Sequence, residues 1–159
     1  MRTAPGRGQT NVDASHEPPP TRAPVRPVLL LTIDVALAVD ALSFAVETAL
    51  ETGAELFVCD AVPIPIGQIT NSATRTLGNL LVVAEHQQVA RDAAAAGVRV
   101  RTMVFSSPRP LRATVTVLRD KGVGLLVFGP DRRAYGRWRF SRHAAFLRRQ
   151  APCLVWPFG

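Results

Sequence analysis

Five short apolar runs, set apart by segments of helical periodicity, constrain this chain more than any other feature. The first, Val28-Leu29-Leu30-Leu31-Thr32-Ile33, carries no charge and a single polar side chain. A strand with one face in water alternates apolar and polar residues. A run without alternation needs cover on both faces, as in a parallel sheet. Further apolar-rich runs lie at 56–62, 98–105, 123–128 and 153–156, with Val98, Val100, Thr102 and Val104 on one face of the run at 98–105. Between the first two, Leu37, Ala41, Leu42, Ala45, Val46, Ala49 and Leu50 fall on one helical stripe, and Gly53 stands where a helix ends. Leu77, Leu80, Leu81, Ala84, Val89, Ala93 and Ala94 mark a second helix closed by Gly97. Pro110 opens a third, lined by Leu111, Thr114, Val115 and Leu118 and closed by Gly122. A fourth is expected near 141–149, after an arginine-rich loop.

The resulting β-α-β-α-β-α-β-α-β order predicts a single doubly wound α/β domain over 27–159, with about five parallel strands and four helices. Such sheets bind ligands at the carboxyl ends of their strands, near the point where strand order reverses. Residues 1–26 differ: Pro5, Pro18, Pro19, Pro20 and Pro24 sit among polar residues with almost nothing large and apolar, which predicts a disordered tail.

Lys and Arg total 19 against 12 Asp and Glu, and all the basic residues but Lys121 are arginine. Arginine enrichment alongside abundant Ala and Pro follows from a GC-rich genome as readily as from binding polyanions, so nucleic acid is not expected as the partner. Cys59 and Cys153 are isolated in apolar runs, as free thiols of a reducing compartment are. No apolar run approaches the ~20 residues of a membrane helix. Asp34 interrupts the stretch after Arg22 and Arg26 that could otherwise pass for a signal peptide, so a cytoplasmic protein is expected. His16, His86 and His143 are scattered, with His86 expected at the surface among Glu85, Gln87 and Gln88. No nucleophile triad, carboxylate pair, P-loop or metal-ligand set is present, so neither a catalytic nor a metal site is expected.

Leu125-Leu126-Val127-Phe128-Gly129, the junction Arg149-Gln150-Ala151-Pro152-Cys153-Leu154-Val155, the opening strand ending in Asp34, and Ser107-Pro108 after the third strand resemble the universal stress protein family over roughly 27–158. The resemblance implies an adenine-nucleotide α-hydrolase-like sheet in order 3-2-1-4-5, ATP or another adenine nucleotide as ligand, and a homodimer through the last strand. It implies nucleotide contacts from Asp34, Val58, Gly129 and the positions held here by Arg132, Ser141 and Arg142. Asp34 would reach ribose or adenine, or alternatively cap the first helix. Val58 would offer its backbone to adenine, or simply fill a strand.

The chain departs from the family where phosphate is gripped. Arg132 stands for the second glycine of the Gly-x-x-Gly loop, Ser141-Arg142 for the Gly-Ser or Gly-Thr that opens the last helix, the loop is about one residue short, and Val35-Ala36 follow Asp34. Glycine lets backbone N–H groups approach phosphate; arginine can replace that grip with bidentate side-chain contacts. Two outcomes stay open: an arginine-held anion, or a decayed cleft with Arg132, Arg133, Arg137, Arg139 and Arg142 as a solvated face. The remaining alternative is a basic module for nucleic acid or an acidic protein, with Trp138 and Phe140 either stacking on bases or packing on the sheet. Enzymes of related folds carry a Ser-Gly-Gly-x-Asp-Ser-like loop after the first strand, which Asp34-Val35-Ala36 is not.

Overall fold

The computed structural model describes residues 24–65, 84 and 86–158. All but the last three residues of the 1–26 segment, and the first half of the helix expected from Leu77, lie outside them. Strands β1 (Val28–Thr32), β2 (Leu56–Pro63), β3 (Val100–Ser107), β4 (Leu125–Phe128) and β5 (Leu154–Pro157) form one sheet in the order β3-β2-β1-β4-β5. Every pairing is parallel. The helices are α1 (Val39–Thr52), α2 (described over 86–95), α3 (Pro110–Asp120), α4 (Arg132–Tyr135) and α5 (Arg137–Gln150).

β1 is central, and its unbroken apolar run follows from that position: all five residues are buried. Its side chains alternate between two cores. Leu29 and Leu31 join Phe57, Cys59, Leu118, Leu126, Phe128 and Leu147 under α3 and α5. Val28 and Leu30 join Ala41, Ala45, Ala49, Val58, Val89 and Val127 under α1 and α2.

α1 buries only alanines, Ala41, Ala45 and Ala49, one turn apart. Small side chains let its axis approach the sheet closely, and Gly129 at the end of β4 completes the fit. A Cβ placed there would lie 2.2 Å from the Cβ of Ala41.

Three expectations are corrected. α2 turns His86, Val89 and Ala93 inward, while Ala84 and Ala94 are exposed. His86 is therefore not on the surface; it is 1% exposed, neither ring nitrogen has a hydrogen-bond partner, and burial pulls its pKa down. Finally, the arginine-rich "loop" is mostly helical. α4 takes up 132–135, Gly136 turns the chain at φ 79° and ψ 139°, and α5 begins at Arg137, four residues earlier than the 141–149 pattern indicates. Cys59 and Cys153 are both free, the first buried in β2 and the second just ahead of β5.

Candidate functional site

Strand order reverses between β1 and β4, so the crevice of interest lies at their carboxyl ends. Two loops meet there and are laced by backbone hydrogen bonds: Ala38 N–H donates to Gly129 C=O, and Asp131 N–H to Ala36 C=O, both at 2.9 Å. Leu37 and Pro130 form an antiparallel bridge in the same place. The Thr32 hydroxyl donates to Val35 C=O at 2.7 Å and tightens the first loop.

Asp34 turns this loop in a left-handed conformation, φ 58°, the only non-glycine residue described with positive φ. Asp is among the few residues that tolerate it. Its N–H donates to Asp60 Oδ1 at 3.0 Å. Asp60 is a carboxylate inside the apolar β2 run and is 1% exposed. Burial pushes its pKa up to about 6; the Asp34 N–H opposes this, and the Asp34 charge adds to it.

The segment after β4 supplies the opposite wall. The Asp131 carboxylate accepts from Arg133 N–H and caps α4. Tyr135 packs edge-on against Phe128, and Phe140 stacks on Phe128 at 5.3 Å. Three arginines lie on rings: Arg132 over Phe140 at 4.6 Å, Arg139 over Tyr135 at 4.5 Å, and Arg142 over Trp138 at 5.4 Å. Such stacking holds a guanidinium in place without neutralising it. The Arg132 Nε is buried with no hydrogen-bond partner. The Tyr135 hydroxyl meets His143 Nδ1 at 2.5 Å. Burial raises the Tyr135 pKa to about 12 against the pull of Arg139, and burial with Arg139 and Arg142 lowers that of His143.

The structure thus gathers some of the residues singled out from sequence and scatters others. Asp34, Gly129 and Arg132 border the crevice. Asp34 does not cap α1, whose N-cap is Ala38 with no side-chain cap bond. Val58 is fully buried in mid-strand, paired with Leu30 and Thr102. Gly129 is closed in by Ala41, so its lack of a side chain serves helix packing. Ser141 and Arg142 do not open the last helix; they are exposed in its second turn, and the glycine at the helix start is Gly136. Trp138 and Phe140 part ways: Phe140 is buried and Trp138 is 74% exposed.

Sequence reasoning grouped Arg139 with the arginines at the ligand mouth and gave His143 no role; it missed Asp60, Tyr135 and Gly136. Asp60 was visible as the lone charge in Leu56-Phe57-Val58-Cys59-Asp60-Ala61-Val62. Gly136 was passed over because counting back from Ala151 assumes a fixed spacing, and the extra turn of α4 breaks that register.

Comparison with known proteins places this architecture. Similar solved structures include a universal stress protein family member from Burkholderia pseudomallei, with 17% identity, a TM-score of 0.62, and coverage of 82% of this chain and 94% of that one. A universal stress protein from Archaeoglobus fulgidus has 15% identity and a TM-score of 0.63 over 84% and 93% of the two chains. Another structure from Archaeoglobus fulgidus, in complex with dAMP, has 16% identity and a TM-score of 0.62 over 84% and 98%. At such identities the likeness is one of fold. No curated protein matches the sequence. The sequence itself matches the family model "Universal stress protein family" over residues 25–156, more than four-fifths of the chain. Shared topology and this match together establish that the chain belongs to the universal stress protein family.

Proposed function

We propose that this protein acts in the stress response by binding, without catalysis, an adenine nucleotide in the crevice between β1 and β4. The observation that carries this reading is the wall opposite Asp34: Arg132 and Arg139 are fixed on aromatic rings, and no acidic residue of the described chain pairs with them. Gly136 leaves the first N–H groups of α5 without a side-chain cap, which suits an anion. The dAMP bound by the Archaeoglobus fulgidus relative supports the adenine nucleotide as the ligand class. Phosphate is then held chiefly by side chains, where the family pattern uses glycine.

Calorimetry with ATP at low and moderate salt tests this. The native protein should bind at low salt and weaken as salt rises, because screening acts within about 10 Å at 0.1 M. Arg132→Ala combined with Arg139→Ala should cost at least tenfold in affinity, since a charge-assisted hydrogen bond contributes about 1.5–3 kcal/mol. Tight binding indifferent to both would refute the arginine account. Absence of binding at low salt would overturn the nucleotide reading itself.

The same reading makes the protein a cytoplasmic homodimer joined through β5. No helix among the described residues is long and apolar enough to cross a membrane. β5 pairs only with β4, and its free edge exposes Leu154 (65%) and Trp156 (49%). An apolar open edge favours pairing with a second strand. Phe44 stacks on Trp156 at 5.6 Å and holds that ring in position. Light scattering at micromolar concentration should give twice the chain mass, and Leu154→Arg should give the monomer. A native monomer would overturn the assignment.

A further inference from the structure

α3 and α5 lie side by side on one face of the sheet, and a valley runs between them. Its middle, about 460 Å3, is lined by Arg112, Val115, Arg119, Phe146 and Gln150. Towards the carboxyl ends of the strands it continues past Arg109 and His143, sharing Arg112 and Phe146. At the other end it continues past Arg26 and Pro152, sharing Arg119. Arg109, Arg112, Arg119 and Arg26 thus follow one another along a single trough.

No Asp or Glu lines any part of it. The only ion pair among the described residues, Arg101 with Glu55, involves neither helix. Arg112 and Arg119 are seven residues apart, which places them about 10 Å apart along one face of α3. A concave wall lined by one sign of charge focuses the field and attracts a polyanion. The floor is apolar, with Leu111, Val115 and half-buried Phe146. Phe146, shared by two parts of the trough, is the aromatic side chain of its lining; Trp138, with Arg142 over its ring, lies outside it two turns earlier on α5.

We propose that this trough binds single-stranded nucleic acid, with the arginines on phosphates and the accessible part of Phe146 against a base. An accessible aromatic within a basic groove is how single strands are held without sequence preference. Duplex DNA would instead call for an element that protrudes into its major groove. Composition argued against this partner because arginine enrichment was general. The fold changes the argument by gathering four arginines into one channel that no Asp or Glu lines; of the residues placed beside the nucleotide crevice, His143 also lines this channel.

The test is fluorescence anisotropy with a labelled oligouridylate of about twelve nucleotides. Four arginine–phosphate contacts predict a slope of about −3 in log K against log salt, hence about a 50-fold loss of affinity between about 50 and 200 mM salt. Arg112→Ala with Arg119→Ala should halve the slope, to about a sevenfold loss over that range, and Arg112→Lys with Arg119→Lys should restore it. Phe146→Leu, which keeps an apolar side chain and removes the ring, should weaken binding at every salt concentration. Arg132→Ala, in the nucleotide crevice, should leave binding unchanged. The proposal is overturned by no binding at the lower salt, by a slope that ignores Arg112 and Arg119, by a duplex of equal length binding as tightly, or by a polyglutamate peptide competing as well as the unlabelled strand.

Discussion

Gly129→Ala should destabilise the fold by about 2–3 kcal/mol, although it adds one methyl group. The added Cβ would lie 2.2 Å from the Cβ of Ala41, and the atoms behind Ala41 are helix backbone, not a flexible side chain. α1 must therefore lift from the sheet, and overpacking of this kind costs about 1–3 kcal/mol. The backbone lacing between Ala38 and Gly129 ties the same point and resists the shift. Ala41→Gly alone should cost about 1 kcal/mol, the usual cost of glycine within a helix. Combined with Gly129→Ala, it removes the opposing methyl, so the double variant should be more stable than Gly129→Ala alone. Denaturant unfolding of the four proteins measures the coupling. Simple additivity would show that Gly129 is there for another reason, and a Gly129→Ala variant as stable as the native protein would show that α1 moves freely.

The second large effect concerns pH. The native pKa of Asp60, about 6, is above its ordinary value of 3.8, so between about pH 4 and pH 6 the folded protein binds a proton that the unfolded chain releases. Stability from this group is therefore greatest at low pH and declines as pH rises through that window. The whole difference is worth about 3 kcal/mol, since one pKa unit corresponds to about 1.4 kcal/mol. His86 and His143 act in the opposite sense. Their pKa values are lowered by burial, so they cost stability as pH falls below the ordinary histidine value. The native profile alone thus mixes opposing slopes. Asp60→Asn keeps an acceptor for the Asp34 N–H and removes the titration. Subtracting its unfolding free energy from that of the native protein at each pH cancels the histidines. The difference should change by about 2–3 kcal/mol from pH 4 to pH 7, in favour of the native protein at the acidic end. A flat difference would mean that Asp60 titrates normally and that water reaches it.

The sheet was legible in the sequence because its cause is local. Val28 to Ile33 is apolar apart from Thr32, and five apolar-rich runs separated by helical stripes leave few arrangements other than a parallel, doubly covered sheet. Gly53 and Gly97 mark the ends of α1 and α2 for equally local reasons. The strand order came from the family resemblance, and the observed order agrees with it. What failed were inferences that needed a neighbour. His86 stands among polar residues in sequence, yet the helix turns it inward, because burial depends on what lies across from a face and not on the residues beside it. The last helix begins at Arg137 because Asp131 caps a turn and Gly136 bends the chain, and no count from the family pattern contains that turn. The cluster from Arg132 to Arg142 was legible as a group at the ligand site, whereas Arg109, Arg112 and Arg119 entered only through the net charge. Only packing separates Arg132 and Arg139, set on rings beside the nucleotide crevice, from Arg26, Arg109, Arg112 and Arg119 in the α3–α5 trough, because which charges share a surface is fixed by tertiary contacts that composition does not encode.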